Sequence, residues 1–452
     1  MKRYACLFLL VLFCLGLLAA SPAQAKWYKG NFHMHTVWSD GGALPEVAIA
    51  RYQDAQYEFL CTTDHFFFQS DTLRLEDPWK RKNIESPDPK QFEGETSRWR
   101  AFDPRSNQIQ EAITRFGADS LKSKKVGNKT YYRLKTFAEL SKQFNRPGKF
   151  LLIPGVELNS SAENRQIHFN LINITSDFLP IRKPTMTETI ETNFKMANKL
   201  YGQQKEPWFF LVNHPMWPYY DISPEHILAL PQLHYFELNN NALSSSLFDK
   251  NHSYTLAEKA WNPEKFWDVV NAFRVDAGQP PIITVGSDDR HGYAPGQNGG
   301  HSWSYVEVDE LTPSAIVNAV AQSKVYTSNG LEFESIAFDK ATGTLTVKAK
   351  PVEGKTLRIE FLGTKKGFDK TVKEETIPMG PKPDMKKTRI IHCYSDDIGV
   401  VLQKNDSLQA SYALKADDLY VRARVVTVPT TWKGSEGNCL PFPGAWTQAF
   451  TK

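Results

Sequence analysis

Over the first two thirds of the chain, short apolar runs alternate with segments of helical periodicity. The runs at 59–63, 150–156, 167–172, 208–212, 235–238, 282–285 and 305–308 are four to seven residues long, as buried strands are. Between them, 44–53, 135–143, 187–201, 262–278 and 312–320 carry apolar residues on one helical face. Pro45, Asn262-Pro263 and Thr312-Pro313 suit helix starts, whereas Pro147-Gly148 and Gly278 suit ends. Strands alternating with helices predict an α/β domain paired in parallel through right-handed crossovers. Beyond about residue 332 the texture changes: 345–350, 357–361, 408–414 and 419–426 follow one another without helices. That pattern predicts a C-terminal antiparallel β-sandwich at 333–452, closed by a strand at 445–450.

Apart from the helical segment at 135–143, the stretch 66–145 fits neither pattern, with Trp79, Trp99, Arg98 and Arg100 set among many acids and prolines. Its tryptophans argue against disorder. So long a segment between two core strands is either functional or a surface embellishment. Because both ends abut strand termini, it is expected to lie over the mouth of the domain as a lid that sets substrate choice.

With 452 residues, two domains with sizeable cores are possible. The formal charge is +4, of which Lys2 and Arg3 contribute two, leaving about +2. So even a balance does not suggest nucleic acid or an anionic membrane as partner. Residues 1–25 have the makings of a cleavable signal peptide: Lys2 and Arg3, an apolar run at 7–20, and Ala23-Gln24-Ala25. The mature chain is therefore expected to start near Lys26, in the periplasm or outside the cell, and no later segment is apolar enough to span a bilayer. Cys6 and Cys14 leave with the signal. Cys61 sits in an apolar run, so Cys393 and Cys439 remain as a possible disulfide.

The chemistry collects at the ends of the apolar runs. His33 and His35 bracket one residue in Asn31-Phe32-His33-Met34-His35, so an extended backbone projects both imidazoles from one face. Asp40 follows before a Gly-Gly turn. Later runs deliver Asp64-His65, Glu157, Asn213-His214 and Asp288-Asp289-Arg290-His291, and His168 opens the run at 167–172. Asp289 is preferred over Asp288 because Asp-x-His places it on the face of His291. In a parallel barrel the strand ends share one mouth. His33, His35, Asp40, His65, Glu157, His168, His214, Asp289 and His291 would meet there. Nine N and O donors exceed the needs of one tetrahedral ion and suit two or three, with Glu157 bridging. Arg290 and Arg165 are candidates to clamp a phosphate, whereas His226, His234, His252, His301 and His392 lack such context.

His33-Met34-His35, Asp64-His65, Gly155-Val156-Glu157, Asn213-His214-Pro215 and Asp289-Arg290-His291, in that order, resemble the successive motifs of the PHP (polymerase and histidinol phosphatase) family. The resemblance covers roughly residues 30–330. It implies a distorted β/α (TIM-like) barrel at 26–332, two or three divalent ions of zinc, manganese or iron, and hydrolysis of a phosphoester. It also implies that His33, His35, Glu157 and Asp289 hold one ion, Glu157, His168 and His214 a second, and Asp40, His65 and His291 a third. Two departures stand out: a carboxylate, Asp40, where the family often has histidine, and the length of 66–145. The expected substrate is a small-molecule or oligomeric ester. Secreted relatives with a β domain bring carboxylic ester or carbamate hydrolysis into view as an alternative. A binding protein whose metals serve only the fold is the rival from another class.

Overall fold

The computed structural model describes residues 25–66, 69, 98–176, 178–215, 222–240, 263–293, 300–378, 388–428 and 443–452. The signal-like leader up to residue 24, Trp79, His252 and Cys439 lie outside them, so the proposed signal and the Cys393–Cys439 pairing do too.

The alternation of strand and helix is realised around one large sheet. Its first part consists of β1 (Lys26–Asn31), β2 (Phe59–Thr62), β6 (Leu151–Ala162), β7 (Arg165–Ile172), β8 (Phe209–Val212), β9 (Tyr235–Asn239), β10 (Ile283–Gly286), β11 (Trp303–Val308) and β12 (Val325–Ser328). They lie in the order β10-β9-β8-β7-β6-β2-β1-β11-β12. The pairing is not parallel throughout. β1–β2, β2–β6, β8–β9 and β9–β10 are parallel, but β6–β7, β7–β8, β1–β11 and β11–β12 are antiparallel. The reason lies at Glu163-Asn164, where both residues take positive φ (50° and 59°). Two such residues form the tight turn whose twist matches a hairpin. Strands β6 and β7 therefore continue into the polar stretch on either side of this turn.

Nor does a backbone ladder close the sheet into a barrel, since β10 is an edge. Side chains span the gap. Ser304 Oγ accepts from the Gly286 N–H and donates to the Gly286 carbonyl, both at 2.9 Å. Gln448 accepts from the Thr284 N–H and donates to the carbonyls of Thr284 and Val325. At the mouth, Met34 and Arg290 form an isolated parallel bridge.

The described part of the 66–145 stretch folds as β3 (Trp99–Ala101), β4 (Ser123–Val126) and β5 (Lys129–Arg133), with helices Asn107–Phe116 and Phe137–Phe144. Its Ile109, Ala112, Leu134, Leu140 and Phe144 are buried in one cluster with Trp38, Val47 and Ala48, around helix Pro45–Asp54. Trp38 Nε1 donates to the Lys135 carbonyl, and Arg100 donates to the Trp38 carbonyl. Residues 98–145 thus pack on this helix and the loop before it.

After β12 the pattern becomes antiparallel, as the period-two alternation predicts. β13 (Phe333–Asp339), β14 (Thr344–Ala349) and β19 (Gln409–Ala413) form one sheet, and β16 (Lys373–Pro378) and β17 (Thr388–Cys393) a hairpin. β15 (Thr356–Gly363), β18 (Val400–Asn405), β20 (Arg422–Val428) and β21 (Gly444–Trp446) join the end of the large sheet beyond β12. Leu345, Val347 and Tyr412 of the first layer share an apolar cluster with Phe361, Ala423 and Val425 of the second. Each fully buried Leu, Val or Phe among them contributes about 1.5–3 kcal/mol.

Buried charge joins the C-terminal strands to helix Pro263–Asp276. Arg422 donates to both carboxylate oxygens of Asp268 at 2.8 and 2.6 Å and lies 2.8 Å from Glu264. Arg424 bridges Glu264 and Glu360. Burial alone would raise the pKa of Glu264, but the facing Arg424 and Arg422 guanidiniums bring it down to about 2.

Candidate metal centre

At the end of β1 the extended backbone alternates. Phe32 and Met34 are buried in apolar clusters, so His33 and His35 face the other way, into the mouth. Their Nε2 atoms are 3.1 Å apart. Glu157 of β6 brings Oε2 to 3.3 Å from each of them. Asp289, just past β10, brings Oδ1 to 3.2 Å from His33 and 3.0 Å from His35. Asp288 points elsewhere, accepting from the Tyr52 hydroxyl at 2.7 Å and from the His301 N–H.

The other oxygen of Glu157 faces a second group. Oε1 lies 3.2 Å from His168 Nδ1 and 3.6 Å from His214 Nε2. A third group gathers on Asp40, whose Oδ1 is 3.3 Å from His291, 3.5 Å from His65 and 3.7 Å from His35. The turn after Asp40 presses back on β1: a Cβ on Gly41 would sit 2.5 Å from the His35 carbonyl, so only glycine permits the approach. In each of the three groups the donor atoms lie within 4.8 Å of one another. All nine residues singled out in the sequence are therefore brought together.

Two of them are held in backbone conformations that side chains rarely adopt. His214 and Asp289 have φ of 24° and 45°. Such residues cost about 1–3 kcal/mol each and persist where surrounding bonds fix them. Here the His214 N–H donates to Glu237 at 2.8 Å, and the Asp289 N–H to the His33 carbonyl at 3.0 Å.

An outer layer, which the sequence reading did not assign, orients the inner one. Glu237 Oε1 is 2.8 Å from His33 Nδ1, which leaves Nε2 to face the mouth. Asn213 donates to Glu157 Oε1 at 2.9 Å. Asn159 contacts His65 at 2.7 Å and His168 at 2.9 Å. Asp64 accepts from the backbone and hydroxyl of Thr36, the hydroxyl of Ser39 and the amide of Gln69, shaping the loop that carries Asp40. A charged residue inside the apolar run at 235–238 was the available signal for Glu237.

The cluster polarises itself. Burial would lower the pKa of His65, but Glu157 and Asp40 raise it to about 10; burial likewise opposes Asp40, which raises His291 to about 8. Burial wins at His168, lowered to about 4 against Glu157. Burial favours the neutral carboxyl at Glu157 and Asp289, yet the surrounding histidines hold both well below the usual carboxylate range.

The residues fit a divalent ion on two grounds. A tetrahedron whose centre lies about 2.0–2.1 Å from N and O donors has edges of about 3.3 Å. The five measured edges among His33, His35, Glu157 and Asp289 are 3.0–3.3 Å. In addition, Glu157 Oε2 is buried within 2.7–3.3 Å of three imidazoles, yet accepts no hydrogen bond among the described residues. Donors aimed at a common point rather than at one another give this pattern.

A cavity of about 450 Å³ opens over the centre, lined by His65, Glu157, His168, His214, Asp289 and His291, among others. Neither arginine proposed from sequence lines it. Arg290 is buried, its Nε donates to the Gly292 carbonyl at 2.7 Å and its guanidinium lies over the Tyr293 ring. Arg165 opens β7, opposite Ala162. Among the described residues the arginine that does line the cavity is Arg182, and no residue of 98–145 is among the lining residues.

No protein-family model matches the sequence, and no curated protein does. The solved structures that are similar over most of their own length include three described by their names. A two-domain protein from Bacteroides vulgatus, named as containing a predicted PHP-like metal-dependent phosphoesterase, is 16% identical, with 94% of this chain and 96% of that one covered and a TM-score of 0.37. A protein from Bifidobacterium adolescentis, named as a putative metal-dependent phosphoesterase, is 12% identical, with 66% and 96% covered and a TM-score of 0.28. An amidohydrolase from Chromobacterium violaceum, with sulfate and no metal bound, is 12% identical, with 66% and 96% covered and a TM-score of 0.26.

Proposed function

We propose that the chain is an exported, metal-dependent phosphoesterase of the PHP type. The observation that carries this reading is the convergence of His33, His35, Glu157 and Asp289 at spacings that suit one ion, with Glu157 turning its second oxygen to His168 and His214. The order of the motifs, which resembles the PHP pattern, supports the same family.

Two or three divalent ions bound here would acidify a water molecule and stabilise the negative charge that develops at phosphorus. His33, His35, Glu157 and Asp289 would hold the deepest ion, and His168 and His214 with Glu157 its neighbour. Asp40, His65 and His291 would hold the outermost, below the cavity. Glu237 and Asn213 fix the ring and carboxylate orientations on which the donor directions depend. Asn159 lies at the cavity wall between His65 and His168, where its amide can bind an ester oxygen.

The open cavity favours an enzyme over a binding protein, because structural metal sites are closed by protein donors and catalytic ones keep a face for substrate. The test is metal analysis of the purified protein, followed by hydrolysis of matched phosphoric and carboxylic esters with each metal. Turnover of the phosphoric series is expected. Turnover confined to carboxylic esters would reassign the reaction, and metal without turnover of either would favour the binding protein. Export is tested by the mature N-terminus, expected near Lys26.

A further inference from the structure

β6 has twelve residues, whereas β2, β8 and β10 have four each. Since Glu157 marks the level of the metal cluster, the five residues from Leu158 to Ala162, with their partners on β7, overhang the mouth. They form a wall on one side of the cavity. Ser161 and Gln166, paired across the two strands, line the cavity there and offer neutral polar groups.

Arg182 stands on the same wall. Among the described lining residues it is the one cation other than histidine. It is exposed and makes no hydrogen bond or ion pair among the described residues. A solvated surface arginine has no need of a fixed backbone, but this one is clamped on both sides. The Ile181 N–H donates to Asn193 Oδ1 at 2.8 Å, and the Ile181 carbonyl accepts from Asn193 Nδ2 at 2.7 Å and from Ser160 Oγ at 3.2 Å. The Lys183 N–H donates to Thr189 Oγ1 at 3.0 Å, and that hydroxyl donates back to the Lys183 carbonyl at 3.2 Å. Asn193 and Thr189 are wholly buried on helix Met186–Tyr201. The guanidinium is therefore presented from a rigid base, with its five donors unengaged among the described residues and a cluster of proposed metal ligands across the cavity.

We propose that Arg182 is a specificity-determining residue that binds an oxyanion on the leaving group, so that the preferred substrate is a phosphoric ester whose non-reacting part carries a carboxylate or a second phosphate. This rests on the phosphoesterase reading above. The planar fork suits a two-oxygen partner, and a charge-assisted pair of this kind at a partly open site discriminates by about tenfold to a hundredfold. Ser161 and Gln166 are placed to bind the neutral part between the two anionic ends.

The test uses the metal-loaded full-length protein, Arg182→Gln and Arg182→Lys. The substrates are phenyl phosphate and its 2-, 3- and 4-carboxy derivatives, and the matching phenols are titrated by calorimetry. The wild type is expected to prefer one carboxylated ester. Arg182→Gln should raise its KM about ten- to a hundredfold, with kcat changed less than about threefold and phenyl phosphate unaffected. Arg182→Lys should fall between. In calorimetry, the wild type should bind the corresponding hydroxybenzoate at least about tenfold more tightly than phenol, and Arg182→Gln should abolish the difference. Equal binding of hydroxybenzoate by wild type and Arg182→Gln would overturn the proposal. Absence of phosphate release from every ester defeats the phosphoesterase reading alone, because the calorimetric comparison still decides the role of Arg182.

Discussion

The deepest and the outermost parts of the cluster are built differently from the same residue types. Around His33, His35, Glu157 and Asp289 every side chain is buried, and the two imidazole nitrogens stand 3.0–3.3 Å from each other and from the two carboxylates. Around Asp40 the spacings widen to 3.3–3.7 Å, and the side chain of His291 is 37% exposed. The deep group is fixed by strand ends and a dedicated outer carboxylate, Glu237. The outer group rests on a loop, shaped through Asp64. A tight, dry site retains an ion, whereas a looser one beside a cavity can exchange it and admit a substrate. If ions are bound as proposed, the fold would hold the deep one, and the chemistry would start at the outer face.

The largest effect is expected at Glu157, which belongs to the deep group and also serves His168 and His214. Glu157→Ala should lower bound metal and turnover together, the latter about a thousandfold or more, beyond the about 10–100-fold loss typical of an outer partner. Mass spectrometry for metals alongside steady-state kinetics checks this. Full metal occupancy with normal turnover would break the scheme.

Glu237→Gln probes the outer partner alone. The shape of the site is kept but the carboxylate on His33 is lost, and metal affinity should fall about 10–100-fold, read by competition with a chelator. His291→Ala should act on the open group: the metal content drops by the outermost ion, the deep ion remains, and turnover falls about tenfold or more. Equal loss of all metal in this variant would erase the distinction between the two groups.

The smallest effect on the centre is expected from the charge network that ties on the C-terminal strands. Glu264 is held at about 2 against an ordinary 4.5, so the stability it contributes is present above pH 4.5 and is lost as pH falls toward 2. Those two values correspond to roughly 3 kcal/mol. Urea unfolding should show Glu264→Gln less stable by about that amount at pH 7, with a shallower loss of stability below pH 4.5, and metal content per folded molecule unchanged.

How far the sequence spoke for itself can be followed at particular residues. Most of the nine clustered side chains were legible because they close or open an apolar run, His33 and His35 because they bracket one residue at strand period, and Asp40 because it precedes a Gly-Gly turn; the choice of Asp289 over Asp288 followed from period two alone. His168 looked anomalous, opening its strand where the others close theirs. The antiparallel course of β7 removes the anomaly, since the start of that strand lies at the mouth. The reversal is set by Glu163-Asn164, a turn without glycine, which reads as an ordinary polar loop. Closure through Ser304 and Gln448 depends on partners far apart in sequence, to which periodicity is blind. Arg182 carried no motif at all, because what distinguishes it is the clamp on its neighbours. The described part of the 66–145 stretch was expected over the mouth and packs on helix Pro45–Asp54, where its apolar residues find a buried partner face.

Anomalous X-ray scattering from crystals of the metal-loaded protein tests the central claim most directly. A strong peak is expected, enclosed by His33, His35, Glu157 and Asp289 and about 2.0–2.2 Å from their donor atoms, with a second peak joined to it through Glu157 and bounded by His168 and His214. Peaks confined to other parts of the molecule, with none in contact with Glu157, would contradict it.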